Sequence, residues 1–178
     1  HNGGFVVQLK GLQIKAGAIF DEENGGHEPL QYGDKALEYQ TAKNGAGIID
    51  RSLRGKLRLT GKDRARFLHG MVTNTVEGLG EGAGNHAALT SVKGQTFLDL
   101  WVSNLGDCLW LETEPAYQTK LNETLDRYLI ADDVVITDET DAWVILGVVG
   151  PKADEVVNVV FCGGDPLPEH YTKEIEWA

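Results

Sequence analysis

Polar and apolar side chains alternate along Lys56-Leu57-Arg58-Leu59-Thr60, and the rest of the predicted architecture is organised around this segment. Such alternation is typical of a half-buried β-strand. A helix with one apolar stripe is predicted next, over residues 62–72. Further strands are predicted at 87–92, 96–102 and 108–112, the first two around the turn Lys93-Gly94. Short antiparallel connections of this kind favour an α+β fold over a regular parallel βα alternation.

The segments before this region suggest shorter elements. Residues 1–28 are interpreted as a tail and loop, with a short strand at 5–9. A helix is predicted over 32–44, ending at Asn44-Gly45, and a short buried strand over 47–50. The inward residues of that helix are predicted to be Ala36, Leu37, Tyr39 and Ala42.

The segments after it continue the mixed order. Thr113-Glu114-Pro115 has the hydroxyl cap, early acid and first-turn proline of a helix start, and the helix is predicted to reach residue 130. A short strand is predicted at 134–137. Residues 143–149 are continuously apolar, which predicts a strand buried on both faces. A last helix is predicted to begin at Gly150-Pro151, with Val156, Val157, Val160 and Phe161 inward.

Composition excludes several classes of function. The chain has 178 residues and a formal net charge of -11, a field that repels phosphate backbones and anionic lipid. We therefore expect neither nucleic acid nor a membrane as partner. The histidines show no metal-ligand spacing, and Cys108 and Cys162 form no CxxC pair, so no metal site is predicted. No secretory signal is visible, which predicts a cytoplasmic location, or a mitochondrial one in a eukaryote. Because residue 1 is His, the start is expected to be trimmed.

Six short motifs in order resemble one family. The family is the folate-binding aminomethyltransferases, which include the T-protein of the glycine cleavage system, related demethylases, and folate-dependent proteins that assist iron–sulfur cluster assembly. The resemblance is to the N-terminal part and covers residues 29–161. The motifs are LQYG at 30–33, GIIDRS at 47–52, GKLRLTG at 55–61, FLHGMVTN at 67–74, KGQTFLDL at 93–100 and VVGPKA at 148–153.

The resemblance implies a fold and a ligand. It implies a folate-binding domain of duplicated ferredoxin-like halves over 29–178, in which 53–139 form an inserted subdomain. Tetrahydrofolate would lie in a central hollow. Family members are considerably longer, so the family's C-terminal domain is expected to be absent from this chain.

The resemblance also implies where a catalytic carboxylate would lie. T-proteins carry two adjacent aspartates on the strand after the Gly-rich turn, and the first contacts folate and is catalytic. When this family motif is matched to the present sequence without a gap, the first aspartate position is Leu98 and the second is Asp99. Since strand side chains alternate faces, Leu98 would face the ligand and Asp99 would point away. Two alternatives stay open for Asp99: a β-bulge near Gly94 that returns it to the pocket as the catalytic residue, or a solvated strand carboxylate.

Four more residues are candidate folate ligands. Trp110 and Glu112 share a strand face that lines the hollow in the family, so Trp110 is placed to stack on the pterin and Glu112 to accept from its amino group. His86 falls where T-proteins often have Tyr. Arg54 lies in the motif RSLRG at 51–55, within a basic span expected to be either an anion site or a solvated face. For Trp110 and His86 the alternatives are packing and a surface hydrogen bond.

These residues leave three functions to distinguish. The first is a tetrahydrofolate-binding accessory domain of the iron–sulfur assembly or repair type, indicated by Leu98 at the acidic position and by Leu53 where T-proteins have His. The second is a fragment of an active aminomethyltransferase or folate-dependent demethylase, which requires Asp99 in the pocket. The third is a protein-interaction domain that has lost folate, expected if Trp110 and Leu98 fill the hollow. Small-molecule folate is the expected partner in the first two, and a protein partner is left open.

Overall fold

The computed structural model of the chain describes residues 4–21, 28–91 and 93–162. The helices are α1 (Gly4–Lys15), α2 (Lys35–Asn44), α3 (Arg64–His69), α4 (Gln118–Tyr128) and α5 (Ala153–Val157). The first strands are β1 (Ile19–Phe20), β2 (Pro29–Gln31), β3 (Gly47–Asp50), β4 (Gly55–Thr60) and β5 (Gly84–Thr90). The remaining strands are β6 (Thr96–Asn104), β7 (Leu109–Thr113), β8 (Val135–Asp138) and β9 (Leu146–Val149).

These elements form two compact units. Among the described residues, Arg54–Thr140 form one, which we call the sheet unit, and the residues up to Leu53 and from Asp141 onward form the other, the flanking unit. All described strand pairs are antiparallel and are mixed with helices, so the predicted α+β class is confirmed. The duplicated ferredoxin-like arrangement and the inserted subdomain at 53–139 stay predictions.

A five-stranded sheet in the order β5-β6-β7-β4-β8 dominates the sheet unit. Its apolar face and the inner faces of α3 and α4 share one core, because alternate strand residues and the helix stripes are leucine, valine, phenylalanine or alanine. The fully buried members include Leu57, Leu59, Leu68, Leu89, Leu100, Leu109, Leu111, Leu121 and Leu125. The alternation that predicts β4 is thus confirmed, but the strand is more buried than predicted. Since β4 lies between β7 and β8, even Lys56 is fully buried.

The hairpin of β5 and β6 contains an irregularity near its turn. Leu89 is opposite Leu98, but Thr90 is opposite Thr96, so Phe97 has no partner in the register. Gly94 has a φ of +75° in the connecting turn, a conformation that glycine adopts without strain. The irregularity lies where the bulge alternative for Asp99 requires it.

The flanking unit contains two two-stranded sheets, β1-β2 and β3-β9. The buried strands predicted there are wrong in their burial: Ile48 is 67% exposed, and Ile49, Trp143 and Leu146 are each about half exposed. The strand predicted at 5–9 is also wrong, because this segment lies within α1. A short apolar run does not distinguish helix from strand by periodicity alone, which explains the error.

Three helix predictions need correction. Helix α2 begins at Lys35, with Asp34 accepting from the N–H groups of Ala36 and Leu37, and it buries no residue: Leu37 and Tyr39 are exposed. Thr113 does not cap a helix, since it ends β7 and its hydroxyl donates to the carbonyl of Asp99 over 2.8 Å. Val160, predicted inward, is 48% exposed, while the side chain of Phe161 is outside the described set.

Candidate functional site

Strand pairing brings most of the candidate residues to one face of the five-stranded sheet. His86 is opposite Trp101, Trp101 is opposite Glu112, and Glu112 is opposite Lys56, so these side chains form a row across four strands. Asp99 and Trp110 lie two residues along from Trp101 and Glu112 and share their face. We call His86, Asp99, Trp101, Trp110 and Glu112 the polar face.

Asp99 and His86 are paired at the half-exposed end of this face. His86 Nε2 donates to Asp99 Oδ2 over 2.9 Å, and both side chains are about half exposed. The imidazole also lies against Trp101, with 4.8 Å between ring centroids and 43° between planes. The hydrogen bond from His86 holds the pKa of the Asp99 carboxyl below its usual value, and the charge of Arg54 contributes in the same direction. Asp99 is therefore an ionised carboxylate at neutral pH.

Glu112 and Arg54 form the second charged group of the site. Arg54 precedes β4 directly, and its side chain is only 6% exposed. Its Nε faces Glu112 Oε1, and its Nη1 donates to Glu114 Oε1. The ammonium of the buried Lys56 donates to the carbonyl of Arg54 over 2.9 Å. Arg54 is thus held by side chains and backbone together.

Leu98 is the one candidate that the structure separates from the others. It is 3% exposed and belongs to the hydrophobic core on the opposite face of the sheet. The expectation that Leu98, and not Asp99, shares the strand face of Trp110 and Glu112 is therefore wrong. Asp99 shares that face because the pairing of β6 with β7 fixes which side chains are inward. Leu98 also cannot fill a hollow beside Trp110, as the protein-interaction alternative requires.

The basic span at 51–66 is not a single anion site. Arg58 pairs with Asp107 over 2.5 Å, and Arg66 pairs with Asp132 over 2.6 Å. Arg64 donates to the carbonyls of Gly61 and Gly106. These arginines thus pair with carboxylates and backbone carbonyls of the sheet unit. Lys56 and Arg58 lie opposite Glu112 and Trp110 on the same strand face, and Arg54 adjoins that face through Glu112.

Sequence reasoning missed three participants. The sequence analysis assigns no role to Trp101, places Lys56 in a basic span that is either an anion site or a solvated face, and assigns Glu114 to a helix start. The sequence contains a signal for Lys56 and Glu114. Lys56 lies two residues after Arg54 and Glu114 two residues after Glu112, and residues two apart on a strand lie on the same face. The burial of Lys56 had no signal, because it depends on β8 covering the second edge of β4.

The remaining cysteine, groove and side-chain clusters of the described residues provide no further candidate for catalysis or metal binding. Within 4–21, 28–91 and 93–162, no cluster of three metal-ligating side chains occurs, and no helix there is long and apolar enough to cross a membrane. Burial raises the pKa of the Cys108 thiol, so this cysteine is a poor nucleophile at neutral pH. An open groove of about 460 Å³ in the flanking unit contains none of the candidate residues; it is lined by Ala46, Lys152, Glu155, Val156, Val159 and Val160.

Comparison with proteins of known sequence identifies relatives of one kind. An aminomethyltransferase of Rubrobacter xylanophilus is 30% identical over 149 residues, which are 84% of this chain and 40% of that protein. A putative chloroplastic transferase of Arabidopsis thaliana is 28% identical over 169 residues, 91% of this chain and 38% of that protein. The chain thus spans about two fifths of the length of these relatives.

Comparison with solved structures supports the same fold. The glycine cleavage system aminomethyltransferase T from Bartonella henselae superposes with a TM-score of 0.74 and 22% identity, over 85% of this chain and 42% of that one. At this identity the likeness concerns the fold alone. The GCVT N-terminal domain family matches residues 9–171, which include the whole sheet unit described above. The chain therefore belongs to the GCVT N-terminal domain family, the N-terminal part of the folate-binding aminomethyltransferases.

Proposed function

We propose that this chain binds tetrahydrofolate on the polar face, as part of an aminomethyltransferase-like protein in which Asp99 is the working carboxylate. The observation that carries the proposal is the grouping of Asp99, Glu112 and two tryptophans on one sheet face, with Leu98 on the other. A reduced pterin presents amino and ring N–H donors on a flat ring. Ionised carboxylates accept such donors strongly, and aromatic rings stack on such planes.

Asp99 suits a role in one-carbon transfer better than its neighbour does. Its carboxylate is ionised and half exposed, so it can accept from a ring N–H and stabilise positive charge that develops on a nitrogen of the bound ligand. Leu98 has no such capacity. The accessory role is indicated by Leu98 at the acidic position of the ligand face, so the burial of Leu98 in the core favours the catalytic alternative.

A folate-binding accessory role in iron–sulfur cluster assembly is the second candidate. The observation that favours it is the engagement of Asp99 by His86, which leaves the carboxylate already hydrogen-bonded before ligand arrives. In that case the protein would hold tetrahydrofolate without transforming it, and the effect would be exerted on a protein partner. The cytoplasmic location stays a prediction in both cases.

A titration with tetrahydrofolate under anaerobic conditions tests the proposal. Asp99→Asn keeps the shape of the side chain and removes its charge, so we expect an affinity about tenfold weaker or more, the scale of a charge-assisted hydrogen bond. Asp126→Asn is the matched control, because Asp126 is an exposed carboxylate of α4, the helix that packs against the opposite face of the sheet. The control is expected to bind like the unsubstituted protein. Binding that is absent, or equal in all three proteins, contradicts the proposal.

Product formation separates the two candidate functions. With tetrahydrofolate and an aminomethyl donor, an active aminomethyltransferase forms methylenetetrahydrofolate and releases ammonia, and Asp99→Asn should abolish both. Tight binding without either product would favour the accessory role.

A further inference from the structure

Arg54 is a buried arginine beside the proposed ligand face, and two roles are open to it. It can bind the anionic glutamate tail of a folate directly, as the sequence suggests for its basic span, or it can act through another residue. The distinction matters because the two roles predict different ligand selectivity. The proposal below rests on the proposed function and assigns one of these roles.

The guanidinium of Arg54 is already committed to two carboxylates. Nε faces Glu112, and Nη1 donates to Glu114. The ammonium of Lys56 lies beside this group, so two carboxylates and two cations leave it without net charge, and it offers no attraction to a third anion. Only 6% of the side chain is exposed, which leaves little of it to meet a flexible tail in solvent. Neither charge nor access therefore favours direct binding of the tail.

Arg54 is also fixed at its backbone. Its carbonyl accepts from the buried ammonium of Lys56, and Gly55 starts β4 opposite Thr113. A Cβ at Gly55 would lie 2.5 Å from Cβ of Gln118, so the chain approaches α4 closely at this point. An arginine held in this way presents its planar fork in one direction.

Glu112 is the partner that retains access to a ligand. Its side chain is 20% exposed, and it lies in the row with Trp101 and Lys56 on the polar face. A glutamate on a sheet has several rotamers, and ordering it on binding costs free energy. A guanidinium that already holds one oxygen of the carboxylate removes this cost.

We propose that Arg54 is a positioning residue that fixes the Glu112 carboxylate for the pterin ring, and that it does not bind the anionic tail. The ligand is then recognised on this face through its ring, and a reduced pterin without a tail should depend on Arg54 as strongly as tetrahydrofolate does.

The test compares the affinities of tetrahydrofolate and of 6-methyltetrahydropterin, which lacks the aminobenzoyl-glutamate tail. Arg54→Met is expected to weaken both ligands by the same factor, about tenfold. Arg54→Lys, which keeps the charge without the fork, should give a smaller loss that is again equal for both ligands. In a protein that already carries Glu112→Gln, Arg54→Met should weaken binding further by less than about twofold, since coupled residues are not additive.

Arg66→Met is the matched control, because Arg66 is an ion-paired arginine of α3, the helix that packs against the opposite face of the sheet. It should leave both affinities unchanged. If Arg54→Met does not fold, as judged by circular dichroism, Arg54→Lys supplies the comparison. A loss confined to tetrahydrofolate, or losses that add to that of Glu112→Gln, would overturn the positioning role alone. Failure of the unsubstituted protein to bind either ligand would overturn the proposed function and the positioning role with it.

Discussion

The sheet unit and the flanking unit differ in how they bury apolar side chains. Every described member of the hydrophobic core cluster lies in the sheet unit, between Leu57 and Val134. The flanking unit has two-stranded sheets, and its isoleucines 48 and 49 are exposed although their sequence is as apolar as that of a core strand. Two-stranded ribbons are marginally stable alone, whereas a sheet with helices on one face is not. Apolar composition therefore predicts that a segment forms a strand, whereas the number of strands beside it determines whether that strand is buried.

The candidate site follows the same division. The polar face belongs to the sheet unit, so its carboxylates are mounted on strands whose other face is packed against α3 and α4. Functional groups on such strands are held more firmly than groups on loops. We therefore expect ligand affinity to depend on the integrity of this core.

The substitution with the largest expected effect is Leu98→Asp. Because Leu98 is in the core of the sheet unit, an ionised side chain there should lower the free energy of unfolding by about 3 kcal/mol or more. Urea unfolding followed by circular dichroism measures the loss. Val135→Asp, at a 58% exposed position of β8, is the control and should change little. Equal stability of the two variants would show that Leu98 is not inward and would reverse the assignment of faces.

Truncation of apolar side chains compares the two units directly. Leu100→Ala removes a fully buried side chain of the sheet unit and should cost about 2–5 kcal/mol. Ile48→Ala removes a 67% exposed side chain of the flanking unit and should stay within about 0.5 kcal/mol. The same urea titration measures both. A loss of several kcal/mol for Ile48→Ala would mean that the flanking unit has a core that depends on this residue.

Gly150 tests whether the flanking unit is loosely packed throughout, because the backbone of this unit approaches Gly150 closely. Gly150 has a φ of +111°, and a Cβ there would lie 2.3 Å from the carbonyl oxygen of Ala42. Gly150→Ala should cost about 2–3 kcal/mol from backbone strain and this collision. Gly78→Ala has a similar positive φ of +82° but open space around it, so about 1 kcal/mol is expected from strain alone. Thermal unfolding of both variants gives the difference, and equal losses would exclude a close approach at Gly150.

The smallest expected effect concerns the pKa of Asp99. The hydrogen bond from His86 lowers this pKa, so the pair of His86 and Asp99 stabilises the folded chain at pH values above the ordinary aspartate pKa of about 3.9. This stabilisation is lost as the pH falls through the lowered pKa of Asp99. His86→Ala should raise the pKa of Asp99 toward that ordinary value. Carboxyl ¹³C shifts followed through a pH titration measure it. Asp63, whose pKa is lowered by the backbone N–H of Asp133, is the internal control and should not move. An unchanged Asp99 would exclude His86 as the cause.

Local patterns predicted much of the sheet unit. The alternation in β4, the hairpin around Lys93-Gly94 and the shared face of Trp110 and Glu112 all follow from the period of two in strands. Such patterns depend only on neighbours in the sequence. They could not reveal the pairing of Arg54 with Glu112 and Glu114, because those residues are distant in sequence and meet through strand pairing.

The error at Leu98 has a different origin. A gap-free match to relatives gives a residue number, but the face of a strand side chain depends on its pairing partners. The gap-free match assigns Leu98 to the ligand face, and the alternation along β7 assigns Trp110 and Glu112 to it. These assignments are incompatible, because β6 pairs with β7 so that Trp101, on the same face as Asp99, is opposite Glu112. Counting from Glu112 across this pairing would have placed Asp99 correctly.

Phe97, which has no partner in the hairpin register, makes the turn before it tolerant of length changes. One extra residue in a strand can be absorbed at such a position without rotating the residues beyond it. A residue gained or lost in this turn would therefore leave Asp99 on the polar face. The face that Asp99 occupies is therefore fixed by the pairing of β6 with β7 beyond the hairpin and not by the length of the turn.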